Sequence, residues 1–429
     1  MLLQVCAPAG RAIHKDGHIM RLLHTADWHL GHHLHGHDRS FEQGCFLDWL
    51  SELIRVRQID GLLVAGDVFD TANPSAASWQ LFYRFLARLR AEVPHLNVVV
   101  IGGNHDSPSK LDAPHELLKA FELHLVGAIS RHADGALDVE RLIVPLKDKQ
   151  GTIQAWCAAV PYLRSADLRW EEQDEEGDRL VAGVRALYRE VLAAIEARRT
   201  PEQAVIALGH AYLVKGELSQ LSERKVLGGN QHALPLDIFT GADHVALGHL
   251  HLAQSPAPHI HYSGSPLPLS LAEADYHHQV LELALQGAEV TLLARHAVPR
   301  VVDMLRLPAE AAPLDEVVAQ LHALNLPEQP TAQRPYLEVR LLLDKPEARV
   351  REKILAALAD KPLRLARIST QYTGHGQAMA DSQAHRQLDE LTPEQVFRLC
   401  YARQHASEPS QELELAFNEL VTQRQEGEA

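Results

Sequence analysis

Five short clusters of oxygen- and nitrogen-bearing side chains are spread along the 429-residue chain. They are Asp27-Trp28-His29, Gly66-Asp67 with Asp70 just beyond, Gly103-Asn104-His105-Asp106, Gly209-His210, and Gly248-His249-Leu250-His251. Carboxylates, an amide and imidazoles, with no thiolate among them, suit Mn²⁺, Fe²⁺, Mg²⁺ or Zn²⁺ rather than a soft metal. Alternate residues of an extended segment share a face, so Asp27 with His29, and His249 with His251, can each aim at one place. A carboxylate such as Asp67 can bridge two cations through its two oxygens. Two metals roughly 3.5–4 Å apart can activate a water and stabilise both oxygens of an in-line displacement at phosphorus. Singly, each cluster says little: with 27 histidines in the chain, a stray Asp-x-His arises on the order of once by chance. The chemistry is read from the series and from its placement.

Each cluster follows a short apolar run: residues 21–25, 62–65, 97–101, 204–208 and 244–247 read as strands. Between them, residues 41–58, 79–89 and 181–199 carry apolar side chains at helical spacing. Strand–helix alternation of this kind predicts an α/β fold in layers around a sheet, with residues 276–298 as its closing strands. Ligand sites of open α/β sheets gather at the carboxyl ends of strands, so five such loops are expected to converge on one sheet edge. Glycines ahead of the polar residues permit tight turns and close backbone approach.

Between 300 and 335 the composition shifts, with Pro308, Pro313, Pro327, Pro330 and Pro335 punctuating the chain. Leu337, Val339, Leu341 and Leu343 then alternate with period two, followed by a helical pattern at 347–358 and a short strand at 363–368. This reads as a β-α-β unit forming a small second domain. Thr392-Pro393-Glu394-Gln395 has a capping hydroxyl, proline at the first helical position and a reciprocal side chain, the chemistry of a helix start. With Leu413, Phe417 and Leu420 it predicts a C-terminal helical hairpin over 392–422. The expected division is an extension at 1–19 (Met20 stands directly before the first strand), a main α/β domain at 20–300, a small α+β domain at 301–375, and C-terminal helices at 376–429.

A 46% hydrophobic content allows a large core, and 23% charged residues with 5% aromatics fit an ordinary folded chain. No apolar run approaches the roughly 20 residues needed to cross a bilayer. Cys6, Cys45, Cys157 and Cys400 form no CxxC pair, which speaks against a zinc ribbon or disulfide framework and for a reducing cytoplasm. The formal net charge of −15 argues against gripping nucleic acid by bulk electrostatics. Bound divalent cations would offset it locally, and part of the acidity lies in the run Glu171-Glu172-Gln173-Asp174-Glu175-Glu176, read as a solvated face.

The five clusters, in this order, resemble those of the calcineurin-like metallophosphoesterase superfamily. His24-Thr25-Ala26-Asp27-Trp28-His29-Leu30-Gly31, Val64-Ala65-Gly66-Asp67-Val68-Phe69-Asp70 and Tyr262-Ser263-Gly264-Ser265-Pro266-Leu267-Pro268-Leu269-Ser270 narrow the resemblance to the SbcD-type nuclease family. The likeness is specific over about residues 20–275 and architectural beyond about 300. It implies a layered sheet sandwich flanked by helices. Asp27, His29, Asp67 and His251 would hold one metal; Asp67 as a bridge, with Asn104, His210 and His249, would hold the other. His105 would touch the scissile phosphate rather than a metal. The resemblance further implies two Mn²⁺ ions, with Mg²⁺ or another divalent cation as substitutes, and exonucleolytic cleavage of duplex ends with endonucleolytic opening of hairpins and single strands. The setting would be DNA repair, recombination and replication. It implies an SbcC-type coiled-coil ATPase as partner, since no GxxxxGK[ST] is present here, and a homodimer within a heterotetramer. The small domain would cap the DNA, and the terminal helices would dock the ATPase.

Two rivals are kept in view: a metallophosphoesterase for small substrates such as cyclic nucleotides, and a non-catalytic scaffold of the same fold. Asp70 is read as a residue behind the ligands or in a turn. His32, His33, His35 and His37 are read as incidental surface histidines, and Trp28 and Trp79 as core. Arg164, Arg169, Lys215, Arg224 and Lys225 are candidates for phosphate contacts.

Overall fold

Every residue of the strands Gly61–Ala65 and Asn97–Ile101 is buried. Such runs are apolar throughout because both faces of the sheet are covered. Leu62, Val64, Val98 and Val100 share one core with Phe46, Leu50, Phe82 and Leu86, whereas Leu63, Val99 and Ile101 point into another shared with Ala207, Val245 and Leu247. The computed structural model describes residues 19–169, 176–214, 233–344 and 347–373 apart from 348, and beyond these only Phe397, Arg398, Tyr401, Pro409, Leu413 and Phe417.

Two six-stranded sheets stand behind this division. The first runs, edge to edge, Glu289–Ala297, Gln279–Gln286, Met20–Thr25, Gly61–Ala65, Asn97–Ile101 and Leu123–Val126. Its last four strands are parallel, and Gln279–Gln286 closes antiparallel on Met20–Thr25. The second runs Gln254–Ala257, Ile260–Tyr262, His244–Gly248, Ala204–His210, Ile153–Ala159 and Ile143–Lys147. Its four inner strands are parallel and its two edges antiparallel.

The helices Ser40–Arg57 and Ala76–Glu92 supply Phe46, Leu47, Leu50, Ile54, Phe82, Phe85 and Leu89 to the outer face of the first sheet. Glu176–Glu196 contributes Leu187, Tyr188, Val191 and Ile195 to the core of the second. The α/β expectation and the layered sandwich hold. The single sheet edge expected from strand order does not: the strands ending in His210 and Gly248 belong to a second sheet, and the five ends meet between the two. Trp28, 1% exposed, is wedged among Phe46, Phe82 and Phe85, and Trp79 packs on Phe69 and Tyr83, so both are structural.

Beyond residue 300 a separate sheet carries its own core. Met304–Ala312, Tyr336–Leu343 and Arg364–Tyr372 pair in parallel in that order. Leu337, Val339, Leu341 and Leu343 pack with Val317, Leu321 and Ile354 from the helices Leu314–Ala323 and Val350–Ala357. The unit is larger than the β-α-β expected. The proline-punctuated stretch holds an additional strand and helix. Pro308 is accommodated because its strand is an edge and its pairing breaks between Leu307 and Ala312. Pro313 stands at the helix entrance, where a missing N–H costs nothing.

Of the stretch predicted as a C-terminal hairpin, Phe397, Arg398, Tyr401, Leu413 and Phe417 are helical and the ring of Phe397 stacks on that of Phe417 at 4.3 Å; apart from these and Pro409 it lies outside the described residues. So do residues 1–18, most of the acidic run at 171–176, and Lys215, Arg224 and Lys225.

Candidate metal centre

The first two clusters are laced to each other by their backbones. Asp27 and His29 donate their N–H groups to the carbonyls of Gly66 and Asp67 at 3.0 Å, and Leu30 donates to Val68 at 2.9 Å. A third loop is tied in by Asp106, 2% exposed, whose carboxylate accepts from the N–H groups of Val68, Phe69 and Gly103 at 3.1, 2.9 and 2.9 Å. The Asp67 carboxylate lies where a Cβ on Gly103 would have to go, so only glycine lets the two loops close. The second sheet joins through side chains. His249 N–H donates to Asp27 Oδ1 at 2.9 Å, and His210 Nδ1 donates to the Ala65 carbonyl at 2.8 Å.

This closure strains the backbone. Asp27, His29, Asp67 and His249 all have positive φ, at 55°, 46°, 50° and 96°. Side chains with a Cβ resist that region, and where they occupy it they cluster at functional sites.

The result brings all seven side chains of the two expected sets together. Asp27, His29 and His251 each offer a donor atom within 4.8 Å of the others, as do Asp27, Asp67 and His210. Asp67 Oδ2 stands 3.6 Å from His29 Nε2 and 3.4 Å from His210 Nε2. Asn104 Oδ1 lies 2.9 Å from His210 Nε2 and 3.0 Å from His249 Nδ1. Asp27, His29, Asp67, His210, His249 and His251 are all at most 7% exposed. His105, half-buried, donates from Nδ1 to the Asp70 carbonyl at 2.7 Å and from its backbone to Asp67 Oδ1 at 2.8 Å; its ring meets that of His29 edge-on at 4.7 Å. His105 also offers an atom within 4.8 Å of His29 and Asp67.

Two buried donor atoms that aim into this cluster, Asp27 Oδ2 and His29 Nε2, have no hydrogen-bond partner among the described residues. Other buried atoms, such as Asp60 Oδ1 and His244 Nε2, also lack a partner, but these two stand in a cluster of carboxylates and imidazoles; the partner that suits them is one that accepts lone pairs from a carboxylate and an imidazole together. Divalent cations with mixed oxygen and nitrogen coordination fit that requirement. Burial pushes the Asp27 carboxyl above its ordinary range, although His210 and His251 oppose it. Burial would also raise Asp67, but His210, His29 and His105 around it hold its carboxyl well below the usual carboxylate range. Burial and His210 lower His249 to about 3, so its ring is neutral and its lone pair available.

The remaining expectations separate. Asp70 Oδ1 stands 3.2 Å from His29 Nδ1, behind the ring and away from Asp67. The guanidinium of Arg164 lies 5.5 Å over the Tyr162 ring, itself 6.1 Å from His210, which places Arg164 at the rim. Arg169 instead bonds the Gly135 carbonyl. His33 and His35 are exposed as expected, but His32 is half-buried and His37 donates from Nε2 to the Leu365 carbonyl of the small sheet unit, 3.0 Å away. A cleft of about 430 Å³ opens beside Asp70, lined in part by Gly31, Thr71, Asn73, Ser75 and Arg84.

Sequence reasoning missed Tyr162 and Glu273. Glu273 is fully buried and accepts from His251 Nδ1 at 3.0 Å. Its signal was a lone acid inside the apolar stretch Leu267-Pro268-Leu269-Ser270-Leu271-Ala272-Glu273-Ala274. Among the described residues no helix is long and apolar enough to cross a membrane.

Comparison with known proteins places the chain. The calcineurin-like phosphoesterase family matches residues 20–253, and the type 5 capsule protein repressor C-terminal domain matches residues 300–405. The SbcD subunit of the SbcCD nuclease of Rhodobacter capsulatus is 41% identical over 392 residues, covering 89% of this chain and 94% of that protein. The Escherichia coli K12 protein of the same name is 31% identical over 401 residues, 92% of this chain and 95% of its own length. That of Bacillus subtilis is 36% identical over 280 residues, 63% of this chain and 68% of its own.

Proposed function

The chain belongs to the calcineurin-like phosphoesterases and, within them, to the family of SbcD subunits of SbcCD nucleases, and from this we infer that it is a metal-dependent nuclease, a hydrolase of phosphodiester bonds in DNA. The observation that carries the reading is the cluster itself. Seven oxygen and nitrogen donors from five strand ends meet with Asp27 Oδ2 and His29 Nε2 unsatisfied.

The finer assignment is that two divalent cations, Mn²⁺ foremost, occupy the cluster. Asp27, His29, Asp67 and His251 hold one; Asp67, Asn104, His210 and His249 hold the other. When bound, the ions would neutralise the phosphodiester and polarise it and a water for in-line displacement. The chain's own contribution is placement. Asp106 locks the second and third loops in register, and Asp70 stands behind the ring of His29. His105 has Nδ1 committed to the Asp70 carbonyl, so Nε2 is the nitrogen that would meet the phosphate or the leaving oxygen. Arg164 at the rim and the cleft beside Asp70 are suited to the flanking backbone and nucleotide.

The substrates proposed are duplex ends, hairpins and single strands, and the partner an SbcC-type ATPase that supplies nucleotide dependence, the two proteins pairing in a heterotetramer. The sheet unit beyond residue 300 would cap the DNA, and the terminal helices would dock the ATPase. A cytoplasmic setting accords with Cys45 and Cys157, both free.

The test compares cleavage of blunt duplex and hairpin DNA with turnover of a cyclic nucleotide, with and without Mn²⁺, for the chain alone and with its ATPase. Mn²⁺-dependent DNA cleavage is expected, with His105→Ala abolishing it while two ions remain bound. Turnover of the cyclic nucleotide alone would overturn the DNA reading. Loss of an ion with His105→Ala would make His105 a ligand.

A further inference from the structure

Four imidazoles converge on the centre, and what stands behind them differs; His29 Nδ1 meets the partly exposed carboxylate of Asp70 at 3.2 Å. His210 Nδ1 donates to a backbone carbonyl, that of Ala65. His249 turns its Nδ1 inward, to Asn104 Oδ1. Behind His251 is a buried carboxylate, the Oε1 of Glu273, 3.0 Å from Nδ1, with both side chains at most 3% exposed. The other oxygen of Glu273 is also held, accepting from the Leu269 N–H at 2.7 Å. The turn that carries Glu273 is closed around it: His278 donates from Nδ1 to the Ser265 carbonyl at 2.8 Å and meets the Glu273 carbonyl through Nε2 at 3.1 Å. Ser265 N–H in turn donates to the His251 carbonyl at 3.1 Å. Arg300 holds the Ala274 carbonyl and Arg306, from the small sheet unit, holds that of Leu271.

Such a carboxylate is expensive to bury unless its partners fix it. Glu273 Oε1 accepts the Nδ1 proton of His251, which leaves Nε2 with the lone pair and sets the plane of the ring. A carboxylate behind an imidazole also makes its outer nitrogen a better donor. On the functional reading above, we propose that Glu273 is a positioning residue for His251: it fixes the tautomer and aim of that imidazole and so governs the metal position formed by Asp27, His29 and His251, leaving the position of Asn104, His210 and His249 unaffected.

The test is calorimetric titration of the metal-free full chain with Mn²⁺, for wild type and Glu273→Gln. Glutamine keeps the volume but can accept from His251 or from Leu269, not from both. In wild type two ions are expected to bind. In the variant one of them weakens by about 10- to 100-fold, the usual consequence of losing a carboxylate behind a ligating histidine, and the other keeps its affinity. Cleavage by Glu273→Gln is expected to recover toward the wild-type rate as Mn²⁺ is raised, which a general loosening of the fold would not give. In a His251→Ala background the Glu273→Gln change is expected to cause no further loss of affinity, because the group through which it acts is gone.

Two affinities equal to wild type, equal weakening of both ions, or a full additional loss in the His251→Ala background would each overturn the role. Should Glu273→Gln fail to fold, Glu273→Asp replaces it. The carboxylate withdrawn by one methylene is expected to weaken the same single ion, and unchanged affinities would refute the proposal equally. A wild-type chain that takes up no Mn²⁺ would instead refute the two-metal reading itself.

Discussion

Asn104 Oδ1 and His210 Nε2 lie 2.9 Å apart, although the Ala65 carbonyl already takes the proton on His210 Nδ1. With the ring neutral, two lone-pair atoms face each other at hydrogen-bond distance with no proton between them. Three arrangements relieve this: the ring charges, the amide turns its NH2 toward the imidazole, or a cation stands in front of both atoms. Without a metal the first is favoured: burial opposes it, but the Asp67 carboxylate raises His210 to about 9. Metal uptake is therefore expected to displace a proton from His210 near neutral pH. Calorimetry of Mn²⁺ binding in buffers of different ionisation enthalpy would read the release of one proton. Asn104→Ala is expected to lower affinity at one position by at least about tenfold.

Asp106 offers a sharper test of loop closure than any candidate ligand. Its carboxylate accepts from Val68, Phe69 and Gly103 and touches none of the candidate metal-binding atoms. Asp106→Ala strands three buried N–H groups, each costing roughly 1–3 kcal/mol. Part of that is recovered by water entering, so a net loss of about 3 kcal/mol is expected, and with it a Tm lower by roughly 6–12 °C for a domain of this size. Thermal denaturation followed by circular dichroism, in the metal-free protein, separates this from any change in Mn²⁺ binding. An unchanged Tm would mean the loops are held by other means.

The strand ends were legible because runs such as 62–65 and 97–101 are buried on both faces and so are apolar without interruption, and because a glycine marks the turn that follows. What was not legible is long-range. Nothing local distinguishes the strand ending in His210 from the one ending in Ala65, yet they belong to different sheets. The positive φ of Asp27, His29 and Asp67 is imposed by lacing between loops about 40 residues apart and leaves no mark on residue choice. Glu273 is invisible for the same reason: its partner His251 is 22 residues away, and only folding shows that the lone acid faces an imidazole. The strand Met304–Ala312 was missed because Pro308, which forbids an inner strand, is permitted at an edge.

Acid lability is expected from histidines outside the metal centre. His24, His244 and His261 are 0%, 2% and 4% exposed, and each has a ring nitrogen without a partner among the described residues. Burial and the neighbouring His261 depress His24 to about 3; burial, with His261 and His24 nearby, holds His244 well below its ordinary value. The rings of His244 and His261 stack at 5.1 Å, so charging either brings a positive charge against the other. Because the folded state refuses a proton that the unfolded state accepts near pH 6.5, stability is complete above that pH. It falls as pH drops from about 6.5 toward about 3, by roughly 1.4 kcal/mol per pH unit for each such histidine. Urea denaturation between pH 5 and 8 measures this, and His244→Leu is expected to lessen the slope by one proton. A pH-independent stability over that range would exclude it.

Among the contacts that fasten the small sheet unit to the nuclease body, which include His37 to Leu365 and Arg306 to Leu271, one is a buried polar knot. Tyr336 is fully buried and donates its hydroxyl to Glu42 Oε1 at 2.7 Å, while both oxygens of Glu42 accept from Arg39, at 3.0 and 2.7 Å. Arg39 also donates to the Pro268 carbonyl, in the loop leading to Glu273, and the Arg364 guanidinium lies 3.8 Å over the Tyr336 ring. Tyr336→Phe keeps the ring and its cation–π contact but removes one hydrogen bond to a buried carboxylate, an interaction worth about 1.5–3 kcal/mol. Glu42 keeps Arg39, so the loss is expected at the low end. Tyr336→Ala also removes the platform for Arg364 and leaves a cavity, for which about 3–5 kcal/mol is expected. Hydrogen exchange distinguishes local from global effects: faster exchange confined to residues 37–43 and 334–340 in Tyr336→Phe is the expected result. Uniform acceleration throughout the main sheets would show that the knot stabilises the whole molecule rather than the seam between its two parts.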